Sequence, residues 1–287
     1  MASSSPTVLK RYVALELRRL RGAGGFTREQ VAKRLRCVVS HVSHLETMRN
    51  LPKGPELEVL LDFYGAAERI PAFLDLVDSA RKGRDWWIPF KGTAPEWFDL
   101  FLAMESSAMQ IDSYDSMIVP GLFQTPAYAK AVIRAGEPEL ADAEFASRLE
   151  LRMTRQDVLT RQPDPPIVWS VLDESVLYRP AGESQVLVEQ LEHLVKLLDL
   201  PTLTIQLLPL EAGVHAGIDG TFTVLTFPPE LEGDPGIAYT EPRVKATYYE
   251  NRAEILTYRN TLRRIQVHAR TPQETRTLLV HRIEELT

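Results

Sequence analysis

The chain has 287 residues, 44% of them hydrophobic and 25% charged, with a net charge of −6 and a pI near 5.6. That length fits two domains of ordinary size, and the apolar content is ample for buried cores. No apolar run approaches the ~20 residues that span a bilayer. The opening residues MASSSPTVLKRY lack a signal-peptide apolar region. A single Cys excludes an internal disulfide and suits a reducing cytoplasm.

In chain order, residues 8–21 place Leu9, Val13, Leu17 and Leu20 on one face, which predicts a helix ended by Gly22, Gly24 and Gly25. Residues 26–46, FTREQVAKRLRCVVSHVSHLE, predict two short helices joined by a tight turn. Thr27 is an N-cap, and Gln30 stands at the capping-box spacing. Val31, Ala32 and Leu35 form an apolar stripe, with Ala32 small enough for close packing. The stripe breaks at 36–38 and resumes with Val39, Val42 and Leu45. Ser40, His41, Ser43 and His44 are left on the outer face, where short hydrogen-bonding side chains suit base edges. Arg28, at the start of a helix, suits phosphate. The plainer alternative is a helical hairpin that buries its stripe and binds nothing.

Charge points the same way. Residues 1–55 hold eleven Lys or Arg against three acids, a surplus of +8, so the remaining residues carry −14 of the total −6. A basic head on an acidic body is expected when one domain faces phosphates and the other does not. Pro52, Gly54 and Pro55 open a fourth helix bearing Leu57, Leu60, Leu61 and Tyr64. A fifth, around 70–81, carries Ile70, Phe73, Leu74 and Val77. Residues 82–95, KGRDWWIPFKGTAP, read as the connection between domains, with Trp86 and Trp87 expected to pack on a domain or a dimer mate. Cys37, in the turn, reads as a small buried hydrophobe rather than a redox sensor.

This first segment resembles the helix-turn-helix of lambda-repressor-like (XRE family) regulators over roughly residues 8–80. The resemblance lies in the Thr27 cap, the small Ala32 and the Leu45-Glu46 ending. Arg36 and Met48 depart from the family pattern, which usually has Gly at both places. Arg36 must then enter the left-handed region or use another turn geometry. The resemblance implies double-stranded DNA as a partner, and it places Arg49 and Lys53 where relatives contact phosphate.

The larger part starts near Pro95. Residues 96–160 read as helical, with Trp97, Leu100, Phe101 and Met104 at helical spacing. Pro120-Gly121 marks a turn, and Thr125-Pro126 starts a helix. From residue 167 the period changes. IVWSVLD, LTIQLLPL, FTVLTF, IAYTE and ATYYE predict five strands, with a helix at 183–199 between the first two. Helices at about 252–269 and 272–285 follow. A mixed α+β domain with a partly antiparallel sheet is expected.

VPGLFQTPAYAKAVI, RLELRMTRQDVL, VLDESVL, QLEHL and IQLLPLEAGVHAGIDGTF occur in order. With the N-terminal motif they resemble a large actinobacterial group of XRE regulators with a C-terminal domain of unknown function. Members are commonly encoded beside a short partner protein in toxin–antitoxin-like arrangements. The resemblance therefore implies an antitoxin-like module that binds a small partner protein.

Enzyme chemistry finds thin support. Asp173, Glu174, His215, Asp219 and Glu241 can act as acids or bases, but nothing in their spacing unites them. The loop AGVHAGIDG, with His215 and Asp219, is a candidate for lining a ligand or partner pocket; the plainer reading is a β-loop whose glycines serve turns. It lacks the spacing of a phosphate-binding loop, and no nucleophile motif occurs. His41 and His44 lack further ligands at metal spacing.

The sequence thus predicts an all-α five-helix helix-turn-helix domain over 1–81, a connection over 82–95, and an α+β effector, partner-binding and dimerisation domain over 96–287. The expected protein is a cytoplasmic, nucleoid-associated homodimer reading an inverted repeat in DNA. No catalytic, metal or cofactor site and no membrane contact are expected, and a small-molecule effector remains a candidate ligand of the body.

Overall fold

The computed structural model describes residues 5–287. It divides into two compact units. The head holds residues up to Ile88 together with Pro229–Asp234, and the body holds Pro89–Pro228 and Pro235–Thr287.

The head is built from five α-helices: α1 (Pro6–Ala23), α2 (Arg28–Leu35), α3 (Val39–Glu46), α4 (Gly54–Phe63) and α5 (Ile70–Lys82). Ser5 caps α1, its hydroxyl accepting from the Thr7 amide at 3.2 Å, with Pro6 as the first helical residue. Asp85 accepts from the Thr7 hydroxyl at 2.7 Å, which ties the stretch after α5 to the start of α1. Val8, Leu17, Val31, Val42, Leu45, Leu57 and Phe73 are almost fully buried. Each such side chain contributes about 1.5–3 kcal/mol by leaving water. Trp87 is also buried.

Pro229–Asp234 completes the head, although the sequence reading placed everything after residue 95 in the second domain. Arg11 pairs with Asp234 at 2.6 Å, both side chains no more than 2% exposed. The Tyr12 hydroxyl donates to the Glu232 carbonyl at 2.9 Å. Burial, reinforced by Glu16, pushes Tyr12 up to about 12. A Pro- and Gly-rich loop has no periodicity, so its allegiance was invisible before the fold was known.

The body contains α6 (Glu96–Ser107), β1 (Gln110–Asp115), α7 (Pro126–Gly136), α8 (Asp142–Arg155), β2 (Ile167–Asp173), α9 (Ser184–Leu197), β3 (Leu203–Leu208), β4 (Phe222–Thr226), β5 (Ile237–Thr240), β6 (Thr247–Tyr249), α10 (Arg252–His268) and α11 (Pro272–Leu286). The sheet has six strands in the order β3-β2-β1-β4-β5-β6. β1, β2 and β3 run parallel, whereas β4, β5 and β6 each run antiparallel to the neighbour before them. The parallel pairs need long crossovers, which α7–α8 and α9 supply.

The five expected strands are present, and β1 is a sixth, lying inside the stretch read as helical. It sits at the centre of the sheet. Its alternation is obscured because one face reads Ile111, Ser113, Asp115, apolar giving way to polar. That polar pair is buried and satisfied within the sheet: Ser113 donates to Asp115 at 2.8 Å and lies 2.9 Å from the Ser170 hydroxyl.

The two faces of the sheet differ. On one, Tyr114, Val171, Phe222, Val224 and Ala238 pack with Ile255, Leu262 and Ile265 of α10. On the other, register aligns Ser170, Ser113, Thr223, Tyr239 and Tyr248 across five strands, since directly paired residues share a face. Among the described residues no helix is long and apolar enough to cross a membrane.

Candidate nucleic-acid interface

The α2–turn–α3 unit is set by local chemistry. The Gln30 amide donates to the Thr27 hydroxyl at 3.3 Å, and the Thr27 amide donates to the Gln30 side chain at 2.8 Å, closing the capping box. At the other end of α2, Arg36 stands in the left-handed region at φ 54°, ψ 43°. The Cys37 amide can then donate to the Ala32 carbonyl at 3.0 Å, and the chain turns into α3. Met48, after α3, is also left-handed, at φ 62°. Both positions where Gly was expected therefore keep the turn geometry with a side chain in place. Cys37 is half-buried; burial and the Glu56 carboxylate push its thiol up, away from thiolate reactivity.

α3 buries Val42 and Leu45 against the head core. Val39, read as part of that stripe, is instead 38% exposed, and Val38 beside it 68%. It opens α3, one turn before the buried residues, where the chain is still emerging from the turn. These two side chains were missed as interface candidates; exposed methyl groups at the start of α3 suit thymine methyls. Ser40 is exposed, and Ser43 and His44 are half-buried. His44 Nε2 lies 3.5 Å from Arg49 Nη1.

His41 is placed differently from its neighbours. Its Nε2 lies 2.5 Å from Glu56 Oε1, so it joins α3 to the first turn of α4. Glu56 also accepts from the Lys53 amide at 3.2 Å. Arg28 donates its Nε to Glu46 Oε2 at 2.8 Å, and Arg21 holds the other oxygen of the same carboxylate at 2.5 Å. Glu46 is thus a buried anchor for two arginines. The terminal nitrogens of Arg28 make no hydrogen bond among the described residues, and its side chain is 38% exposed. Arg49 and Lys53 are exposed beyond α3.

In the body, His215 and Asp219 do not come together. The His215 Nδ1 accepts from the Gly217 amide at 3.1 Å, and Nε2 lies 3.4 Å from the Tyr114 hydroxyl and 3.9 Å from Asp173. Asp173 also caps the turn after β2 through the Ser175 amide at 3.0 Å. Gly217 passes so close to the Tyr114 ring that a Cβ would lie 2.5 Å from it. This part of the loop is a tether lying on Tyr114. Asp219 is exposed and borders a cavity of about 1210 Å³ within the body, walled also by Ser113, Asp115, Arg152, Arg155 and Tyr239.

Asp115 is buried there, and desolvation pushes its carboxyl up to about 7 against the pull of Ser113, Arg155 and Ser170. Arg155 grips Glu105 through Nε and Nη2. Sequence reading passed over these arginines because they sit on an unremarkable charged helix.

Residues 98–281 match a domain of unknown function (DUF5753), and residues 13–70 match a helix-turn-helix domain, which supports a DNA-binding regulator. No curated protein and no solved structure matches the chain.

Proposed function

This chain belongs to the family of the domain of unknown function DUF5753, and on that premise we propose that it is a sequence-specific transcriptional regulator acting as a homodimer on an inverted repeat. The observation that carries the proposal is the capped α2–α3 unit, which presents Ser40, Ser43 and His44 beside the basic side chains of Arg28, Arg49 and Lys53. One short recognition helix reads only a few base pairs; two related by a twofold axis, about 34 Å apart, read an inverted repeat.

In this reading α3 enters the major groove with Ser40, Ser43 and His44 toward base edges. Arg28 meets phosphate through its terminal nitrogens while Glu46 holds its Nε. Arg49 and Lys53 meet phosphate beyond the helix. His41, paired with Glu56, braces α3 and acts on the bases through position rather than contact. The head is of the XRE type, and the protein works on the nucleoid in the cytoplasm. No catalytic role is assigned, because the Tyr114–His215–Asp173 cluster is used as a loop tether.

The test is selection of bound duplexes from a random DNA library by the full-length protein near physiological salt. An enriched inverted repeat is expected. Binding only at low salt, with no enriched sequence, overturns the proposal. A second reading, a small-molecule effector in the body, is favoured by the cavity bordered by Asp115 and Arg152.

A further inference from the structure

The body cavity contains a cation that makes no salt bridge among the described residues, Arg152. α8 sets Arg148, Arg152 and Arg155 on one face, four and three residues apart. Arg148 pairs with Glu137 at 2.5 Å and Glu144 at 3.1 Å. Arg155 pairs with Glu105, whose side chain is 3% exposed. Arg152 reaches no carboxylate among the described residues; it donates from Nη1 to the Gln124 amide oxygen at 2.9 Å. Glu241, which favours the Arg152 charge, accepts the Tyr239 hydroxyl at 2.7 Å instead. Burial, with the like charges of Arg155 and Arg148, pulls Arg152 down to about 10, so it stays charged at neutral pH.

This position is constructed. Gln124 is 1% exposed, and its amide nitrogen donates to the Val119 carbonyl at 2.7 Å. That bond fixes which end of the amide faces Arg152. The same cavity is bordered by Ser113 and Thr223 of the hydroxyl row and by Asp115, whose carboxyl near neutrality can donate or accept. Phe98, Phe101 and Ile111 supply apolar wall. A large cavity with a few convergent polar groups and a perturbed carboxyl is the usual form of a small-molecule site.

We propose that this cavity binds a small hydroxylated organic anion, its carboxylate or phosphate held by Arg152 and its hydroxyl groups by Ser113, Asp115 and Thr223. Guanidinium is suited to planar, forked recognition of either anion. The proposal rests on the effector reading and narrows its ligand.

The test is calorimetric titration of the full-length protein with D-gluconate and with D-glucose 6-phosphate, against D-glucose as the neutral control. At least one anion is expected to bind about tenfold tighter than glucose, and Arg152→Gln to remove about tenfold of that affinity. Gluconate alone marks a carboxylate ligand, and glucose 6-phosphate alone a phosphate ligand. If Arg152→Gln fails to fold, Thr223→Val is used; it should weaken the same anion severalfold while leaving inorganic phosphate unaffected. Equal binding of glucose and both anions, or unchanged anion binding in the folded variant, overturns the proposal. Duplex selection is scored separately. Anion binding without DNA binding upholds the site and refutes the regulator, whereas DNA binding without anion binding does the reverse.

Discussion

Replacing Glu46 by Ala should destabilise the head by about 3 kcal/mol. Its carboxylate is 1% exposed and bridges Arg21 and Arg28. Removing one partner of a buried pair costs about 3–5 kcal/mol, because the other charge stays behind unpaired. Arg21, with a side chain 18% exposed, keeps only the Phe26 carbonyl at 2.9 Å, so the cost falls at the low end of that range. Arg28 is more exposed, and solvent screening limits its share to under about 1 kcal/mol. The assay is urea unfolding followed by tryptophan fluorescence in a chain carrying Trp97→Phe and Trp169→Phe, which leaves Trp86 and Trp87 to report on the head. The head midpoint should fall by ~2–3 M, given a slope near 1 kcal/mol/M for a unit of this size. Glu46→Leu combined with Arg21→Met should lose much less than Glu46→Ala alone, since both buried charges are then gone. A loss below about 0.5 kcal/mol for Glu46→Ala, or equal losses in the single and double variants, would refute the idea that the carboxylate holds a buried guanidinium.

Asp115→Asn addresses the raised carboxyl. A carboxyl near 7 in the folded chain and near 4 in the unfolded chain binds more protons when folded between those values, so its contribution to stability is lost as pH rises through that window. The variant should flatten that decline and be more stable than wild type at pH 8 by on the order of 2–4 kcal/mol, measured by urea unfolding at two pH values. Arg28→Gln should weaken binding to all duplexes alike and reduce the salt slope by about 0.9 per subunit, read from affinity against salt concentration. Arg36→Gly should raise the urea midpoint, with a net gain of about 0.5–1 kcal/mol, because glycine takes the left-handed turn without a Cβ clash.

Much of the head was legible. The Thr27–Gln30 capping box and the strain at Arg36 follow from local rules that need no partner. The apolar stripe was legible at Val42 and Leu45 but not at Val39, where helix geometry holds and the neighbouring surface is missing. The roles of His41 and Arg28 were read from their helix positions alone, and their acids, Glu56 and Glu46, lie 15 and 18 residues away. β1 escaped because its buried polar pair imitates a surface pattern. Arg152 escaped because a cavity is made by elements far apart in sequence; only α8 could be read from the chain, and there it looked like one more basic residue.

The head also imposes an order on the protein's birth. Arg11 emerges early from the ribosome, but the carboxylate that neutralises it, Asp234, follows only after the β4 strand has been made. At ~5–20 residues per second, the interval from Ile88 to Asp234 lasts on the order of 10–30 s. Throughout that time Arg11 lacks this carboxylate. A nascent chain therefore reaches its finished head only when most of the body already exists, and a chain truncated before Asp234 yields a head without the Arg11–Asp234 pair.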